Sequence, residues 1–135
     1  MNEVINFLNE NPIHYLATTD KEGNPKVRPF KFMLEKDGKL FFCTSNQKEV
    51  YQEISNNPNL ELCVCSPKYQ WIRLSGKAVF SNDLTVKTRI LEANPLIKSI
   101  YKVPDNPIFE IFYLENAKAV IADFSGQPPR NINLN

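Results

Sequence analysis

The sequence is poor in the residues that build the commonest metal and redox centres. It holds three cysteines, Cys43, Cys63 and Cys65, and one histidine, His14. A single imidazole gives a zinc site too little nitrogen support. The N-terminus has neither a basic stretch nor a long apolar core. With an odd cysteine count, this argues for reduced thiols rather than a secreted disulfide framework. Cys63 and Cys65 stand two apart in an apolar run, which points both to one face of a strand. The plainest reading makes them small core side chains. Charge of one sign is also lacking: 16 Lys and Arg face 15 Asp and Glu, a formal net charge of +1. That balance lacks the basic excess of a typical nucleic-acid binder. No apolar run approaches the roughly 20 residues that span a bilayer. The expectation is a cytoplasmic protein that engages neither membrane nor nucleic acid.

What is present suits one globular domain. The 135 residues are 42% hydrophobic and 23% charged, enough to bury a core without disulfide or metal staples. Val4, Ile5 and Leu8 recur at helical spacing and predict an opening helix that Asn11-Pro12 ends. Ile13–Thr19 reads as a strand, followed by the turn formers Asp20 to Pro25. From Lys26 to Leu34 the side chains alternate as in a strand, with Pro29 marking an edge or a bulge. Asp37-Gly38 predicts a hairpin turn back into Leu40–Thr44. A helix is expected over 47–55, with Asn46 as N-cap and Glu49 completing a box. Leu60–Cys65 and Tyr69–Phe80 read as strands, with a bulge at Gly76. Asp83 caps a helix that Asn94-Pro95 ends, and Leu96 to Pro107 reads as irregular, with room for one helical turn. Ile108–Leu114 and Ala117–Asp123 are the last two strands. Residues 125–135 read as a polar tail, a surface arm or a segment ordered by a partner. The expected fold is mainly β: a six-stranded antiparallel barrel with short helices outside, one domain over residues 1–124.

Three stretches carry candidate chemistry. In Phe42 to Glu49 a strand ending in Thr44 and Ser45 runs straight into a helix. Its unpaired N–H groups and positive dipole end suit a phosphate. Lys48 in that first turn is unfavourable unless an anion shares the site. The competing reading is a plain helix start with a solvated lysine. In Arg28-Pro29-Phe30-Lys31, a cation on a core-bound strand needs an acidic partner, solvent or an anionic ligand. The hairpin at Asp37-Gly38 would bring Arg28 and Thr44 to the same end. In Trp71 to Ala78, Trp71, Arg73 and Ser75 share a face able to flank a flat ring, or simply form an amphipathic outer face.

These stretches, in this order, resemble the pyridoxamine 5′-phosphate oxidase-like FMN-binding split-barrel family over nearly the whole chain. The resemblance rests on Leu16-Ala17-Thr18-Thr19, Val27-Arg28-Pro29-Phe30, Leu40-Phe41-Phe42-Cys43-Thr44, Lys48, Asn57-Pro58-Asn59 and the Trp71–Ala78 strand. The ending Ala122-Asp123-Phe124-Ser125-Gly126 looks like the short branch related to nitroimidazole-resistance proteins. The resemblance implies a split barrel, a homodimer and FMN at the subunit interface. By that resemblance Arg28, Pro29, Phe30 and Lys31 line the flavin, and Thr44, Ser45 and Lys48 hold its phosphate. Trp71 and Arg73 lie near the site, from the same or the partner subunit. The implied activity is an FMN-dependent oxidoreductase drawing hydride or electrons from a reduced nicotinamide or small molecule. A non-catalytic flavin-binding or sensing module is the alternative, and a single-stranded nucleic-acid-binding barrel a further one. No side-chain general base or nucleophile stands out.

Overall fold

A computed structural model describes residues 1–134, arranged as α1 (Asn2–Glu10), β1 (His14–Thr19), β2 (Pro25–Phe30), β3 (Leu34–Lys36), β4 (Lys39–Ser45), α2 (Glu49–Asn56), β5 (Asn59–Cys65), β6 (Trp71–Ser81), α3 (Leu84–Ala93), α4 (Pro95–Tyr101), β7 (Phe109–Ala122) and β8 (Arg130–Ile132). All strand pairings are antiparallel, in the order β2-β1-β5-β6-β7-β4-β3, with β8 added on β7. The fold is therefore mainly β with short helices, as expected, but it has eight strands rather than six.

Two features add strands to the segments read from the sequence, while the last two of those segments merge into β7. The stretch expected as one strand from Lys26 to Leu34 is two. β2 ends at Phe30 and pairs only with β1; β3 starts at Leu34 and pairs with β4. Between them residues 31–33 cross from one edge of the sheet to the other. Phe32 and Phe30 both turn inward there, against Phe42. The Phe32 N–H leaves the ladder for the His14 ring. The hairpin expected to align Arg28 with Thr44 thus joins only β3 to β4. The second feature is the tail, expected as a surface arm. Residues 130–132 instead form β8, Arg130 clasps both oxygens of Glu3 (3.0 and 2.8 Å), and Leu134 is buried in the core. The last tail residue, Asn135, lies outside the described residues.

The barrel interior holds Leu16, Phe42, Leu62, Val64, Ile72, Leu74, Phe112 and Leu114, closed by Val4 and Leu8 of α1 and Val50 and Ile54 of α2. A second cluster packs α3 and α4 on the outside of β4 and β7 through Phe41, Val86, Ile90, Tyr101, Phe109 and Ile111. Asp83 caps α3 as expected, accepting from the N–H groups of Thr85 and Val86 (2.9 and 3.2 Å). The stretch after Pro95, expected as irregular with room for one helical turn, starts as the seven-residue α4, because proline is well suited to a first helical position. β7 runs unbroken through the expected gap at residues 115–116. Asn116 takes a left-handed turn (φ 55°) opposite a register shift at Gly76, so the strand bends without ending.

Gly76 sits where a Cβ would meet the Glu115 carbonyl oxygen and the Leu114 Cβ, each at 3.1 Å. Gly76→Val is expected to destabilise the fold by about 1–3 kcal/mol through overpacking against backbone. Urea unfolding monitored by Trp71 fluorescence measures it.

Candidate functional site

Thr44 and Ser45 end β4 on opposite faces. Thr44 shares the face of Phe42, the side that α2 covers, and is 2% exposed. Its hydroxyl is the one buried side-chain polar atom among the described residues that has no hydrogen-bond partner. Ser45 organises the turn into the helix: its hydroxyl accepts from the Gln47 N–H (3.2 Å) and its carbonyl from the Lys48 N–H (3.1 Å). That turn delays α2 to Glu49, so the expected start at Gln47 is two residues too early. Lys48, with extended backbone, is the N-cap, and no side chain caps the helix. Asn46, expected in that role, instead donates to the Pro107 carbonyl (2.8 Å) and to Glu110 (3.2 Å). The first N–H groups of α2 thus lack a side-chain acceptor at the end of the helix that favours an anion.

Arg28 is committed to a partner that sequence reasoning did not name. It points inward from β2, ion-pairs with Glu53 of α2, and donates to Thr18 Oγ1 (2.7 Å) and to the Leu16 carbonyl (3.2 Å). Thr18 in turn donates to Glu53 (2.7 Å). Both Thr18 and Glu53 are buried. Of the three ways to accommodate a core-bound arginine, the fold uses the acidic partner. The signal was present: Val50, Glu53 and Ile54 recur at i, i+3 and i+4, which puts Glu53 on the buried face of α2.

Phe30 packs inside against Phe42 and Phe112 at centroid distances of 6.2 and 6.0 Å, while Pro29 faces outward. Lys31 is exposed at the start of the crossing. The positive fields of Lys48 and Lys31 both reach Cys43. Cys43 is packed beneath the α3–α4 pair, and burial pushes its thiol up to about 12, so it stays protonated and is no nucleophile at neutral pH. Cys63 and Cys65 do share one face of β5, but it is the outer face; Leu60, Leu62 and Val64 fill the core side. No group of three metal-ligating side chains occurs among the described residues.

Trp71 and Arg73 also lie on an outer face. Trp71 packs against Phe124 (4.9 Å between centroids), and Arg73 is exposed. Trp71 pairs with Ala122 at one end of β7, whereas Thr44 pairs with Glu110 at the other. At about 3.3 Å per residue, roughly 40 Å of strand path separates them. One chain therefore places Thr44, Ser45 and Lys48 in sequence where β4 leads into α2, with Trp71 and Arg73 paired to the other end of β7. A cavity of about 530 Å³ opens elsewhere, between Gly38, the Asn116 bend and the tail, and none of the predicted site residues lines it.

The outer sheet face around Arg73 carries exposed apolar area. The register places Pro29, Tyr15, Cys63, Arg73 and Val120 in one row across five strands. Tyr15 is 52% exposed and neighbouring Val27 68%.

The sequence profile described as pyridoxamine 5′-phosphate oxidase matches residues 1–121, and the chain belongs to that family. Among solved structures, a NimC/NimA family protein from Clostridium acetobutylicum is 33% identical. The match covers 98% of this chain and 92% of that one, with a TM-score of 0.86. Two more distant structures share the fold. A heme binding protein from Mycobacterium smegmatis is 16% identical (95% of this chain, 55% of that one, TM-score 0.76). A pyridoxamine 5′-phosphate oxidase-related, FMN binding protein from Nostoc punctiforme is 17% identical (96% and 87%, TM-score 0.64). No curated protein sequence matches the chain. No helix among the described residues is long and apolar enough to cross a membrane.

Proposed function

We propose that this protein is an FMN-binding flavoprotein of the cytoplasm that works as a homodimer and transfers hydride or electrons through the flavin. The observation that carries the reading is the unpartnered, buried hydroxyl of Thr44 beside the uncapped N-terminus of α2. A buried hydroxyl without a partner costs about 1–3 kcal/mol, and a phosphate oxygen would satisfy it. Helix N–H groups, Ser45 and the two lysines supply the rest of an anion site. When bound, FMN supplies the redox chemistry. Within this site Lys48 and Ser45 hold the phosphate, and Lys31, exposed at the crossing, offers a cation to the electron-rich edge of the ring. Arg28 acts indirectly: its pair with Glu53 fixes α2 against β1 and β2. Pro29 and Phe30 shape the strand that leads to Lys31.

The dimer reading rests on two observations. The exposed apolar row on the outer sheet face suits a partner surface. Trp71 and Arg73 pair with the end of β7 opposite the one that pairs with Thr44, which suits a role at the flavin of the partner subunit. Haem is disfavoured on the same scaffold, because the single imidazole, His14, is buried with both ring nitrogens engaged.

The test is titration of the purified protein with FMN. Retention of a yellow chromophore, released as FMN on denaturation, is expected, with a dimer by sedimentation. A colourless protein with no binding heat refutes the reading. Lys48→Ala is expected to weaken FMN binding about tenfold, the worth of a charge-assisted hydrogen bond. Thr44→Val should weaken it similarly while leaving apo stability equal or higher, since the variant removes an orphaned hydroxyl. Reduction of the bound flavin by NAD(P)H followed by transfer to an acceptor separates an enzyme from a binding module.

A further inference from the structure

His14 begins β1 and is wholly buried, yet it is no part of the anion site. Its two ring nitrogens bridge two segments. The Phe32 N–H donates to Nδ1 (3.2 Å), so Nδ1 is the unprotonated nitrogen. Nε2 therefore carries the hydrogen and donates to the Leu8 carbonyl at the end of α1 (3.0 Å). The next residue, Met33, donates its N–H to the Phe41 carbonyl of β4 (2.9 Å). The crossing at residues 31–33 is thus held on one side by His14 and on the other by β4. β1 and β4 are the strands next to the two sheet edges, β2 and β3. Lys31 sits at the head of this crossing.

We infer that His14 is a positioning residue that pins the crossing through the Phe32 N–H, and that its protonation releases Lys31 and weakens flavin binding. The binding half of this inference rests on the flavin reading above. A second proton on Nδ1 would face the Phe32 N–H donor to donor, and one of the two must move. The surroundings favour the neutral ring. Burial holds its pKa below the ordinary value, against the opposing pull of backbone bonds at Leu8 and Asn11. Lys31 on the crossing opposes the imidazolium further. Among the described residues the charged groups of the packed elements offer it no counter-ion: Glu3 of α1 is engaged with Arg130, Glu10 is exposed, and Arg28 of β2 is paired with Glu53. The unfolded chain takes up the proton at a higher pH than the fold does. Stability from this group is therefore complete above the ordinary histidine pKa and drains as pH falls below it.

The experiment compares the native chain with His14→Gln between pH 7.5 and 5. Glutamine is neutral throughout and can offer both an acceptor and a donor. The apo protein is read first, by NMR of the His14 ring and hydrogen exchange at the Phe32 amide. Loss of Phe32 protection in step with ring protonation is expected in the native chain. An amide that stays protected through the ring titration overturns the pin, whether or not any flavin binds. FMN affinity is read second. The native chain is expected to lose on the order of tenfold more affinity at pH 5 than His14→Gln does, because only the population with a neutral ring binds well. The phosphate of FMN titrates alike for both, so the difference isolates His14. Equal pH profiles overturn the binding half. If FMN binds neither protein at any pH, the flavin reading and the binding half fall together, and the amide exchange still decides the pin.

Discussion

Glu53→Ala is expected to lower folding stability by about 3–5 kcal/mol, one of the two largest effects of any single substitution considered for this chain. The side chains of Arg28 and Glu53 are 23% and 9% exposed. Removing the carboxylate leaves a guanidinium desolvated without its counter-ion, and breaking one side of a buried pair costs that much. It also strips Thr18 of its acceptor. The penalty comes from the charge left behind rather than from the worth of the pair, so the double variant Arg28→Met, Glu53→Leu should recover most of the loss. Urea unfolding of the native chain, both single variants and the double variant gives the cycle. A double variant no more stable than Glu53→Ala would show that the pair itself holds α2 in place.

Phe42→Ala is the second, at about 3–5 kcal/mol. Phe42 is 1% exposed and sits against three aromatic rings: Phe112 stacked at 5.4 Å, Phe32 edge-on at 6.0 Å and Phe30 tilted at 6.2 Å. Phe30 and Phe32 flank the crossing, and Phe112 comes from β7. One truncation therefore opens a cavity where three segments distant in sequence meet, and rigid strands on all sides limit collapse into it. Chemical denaturation measures the cost. A loss under about 1.5 kcal/mol would mean that the neighbouring rings close the gap.

Much of this architecture was readable residue by residue. Asp83 announced a cap, Gly76 a bulge, and Pro29 an edge or a bulge, of which the fold uses the edge, because each position depends on local backbone chemistry that few residue types satisfy. What was not readable depended on partners far away. Alternation from Lys26 to Leu34 is continuous, and nothing local shows that Phe32 hands its N–H to a histidine eighteen residues earlier. The tail looked too polar to pack, yet β7 offers it an unpaired edge and Glu3 offers Arg130 a carboxylate from the other end of the chain. At the candidate site, the hydroxyl-rich end of β4 and Lys48 were legible from composition and spacing. The commitment of Arg28 to Glu53 was not settled, since three different partners satisfy the same buried cation.

The prolines of β2 have one more effect. β2 ends the sheet and pairs only with β1, with Pro25 opposite Thr19 and Pro29 opposite Tyr15. Residues two and four apart on a strand send their backbone groups to the same side, so two donors are missing from the free edge alone. A strand from another molecule seeking to extend the sheet there finds gaps where it needs N–H groups, with Lys26 beside them. The strand that leads into the crossing is thereby shielded from edge-to-edge aggregation, even though Val27 leaves an apolar side chain in water.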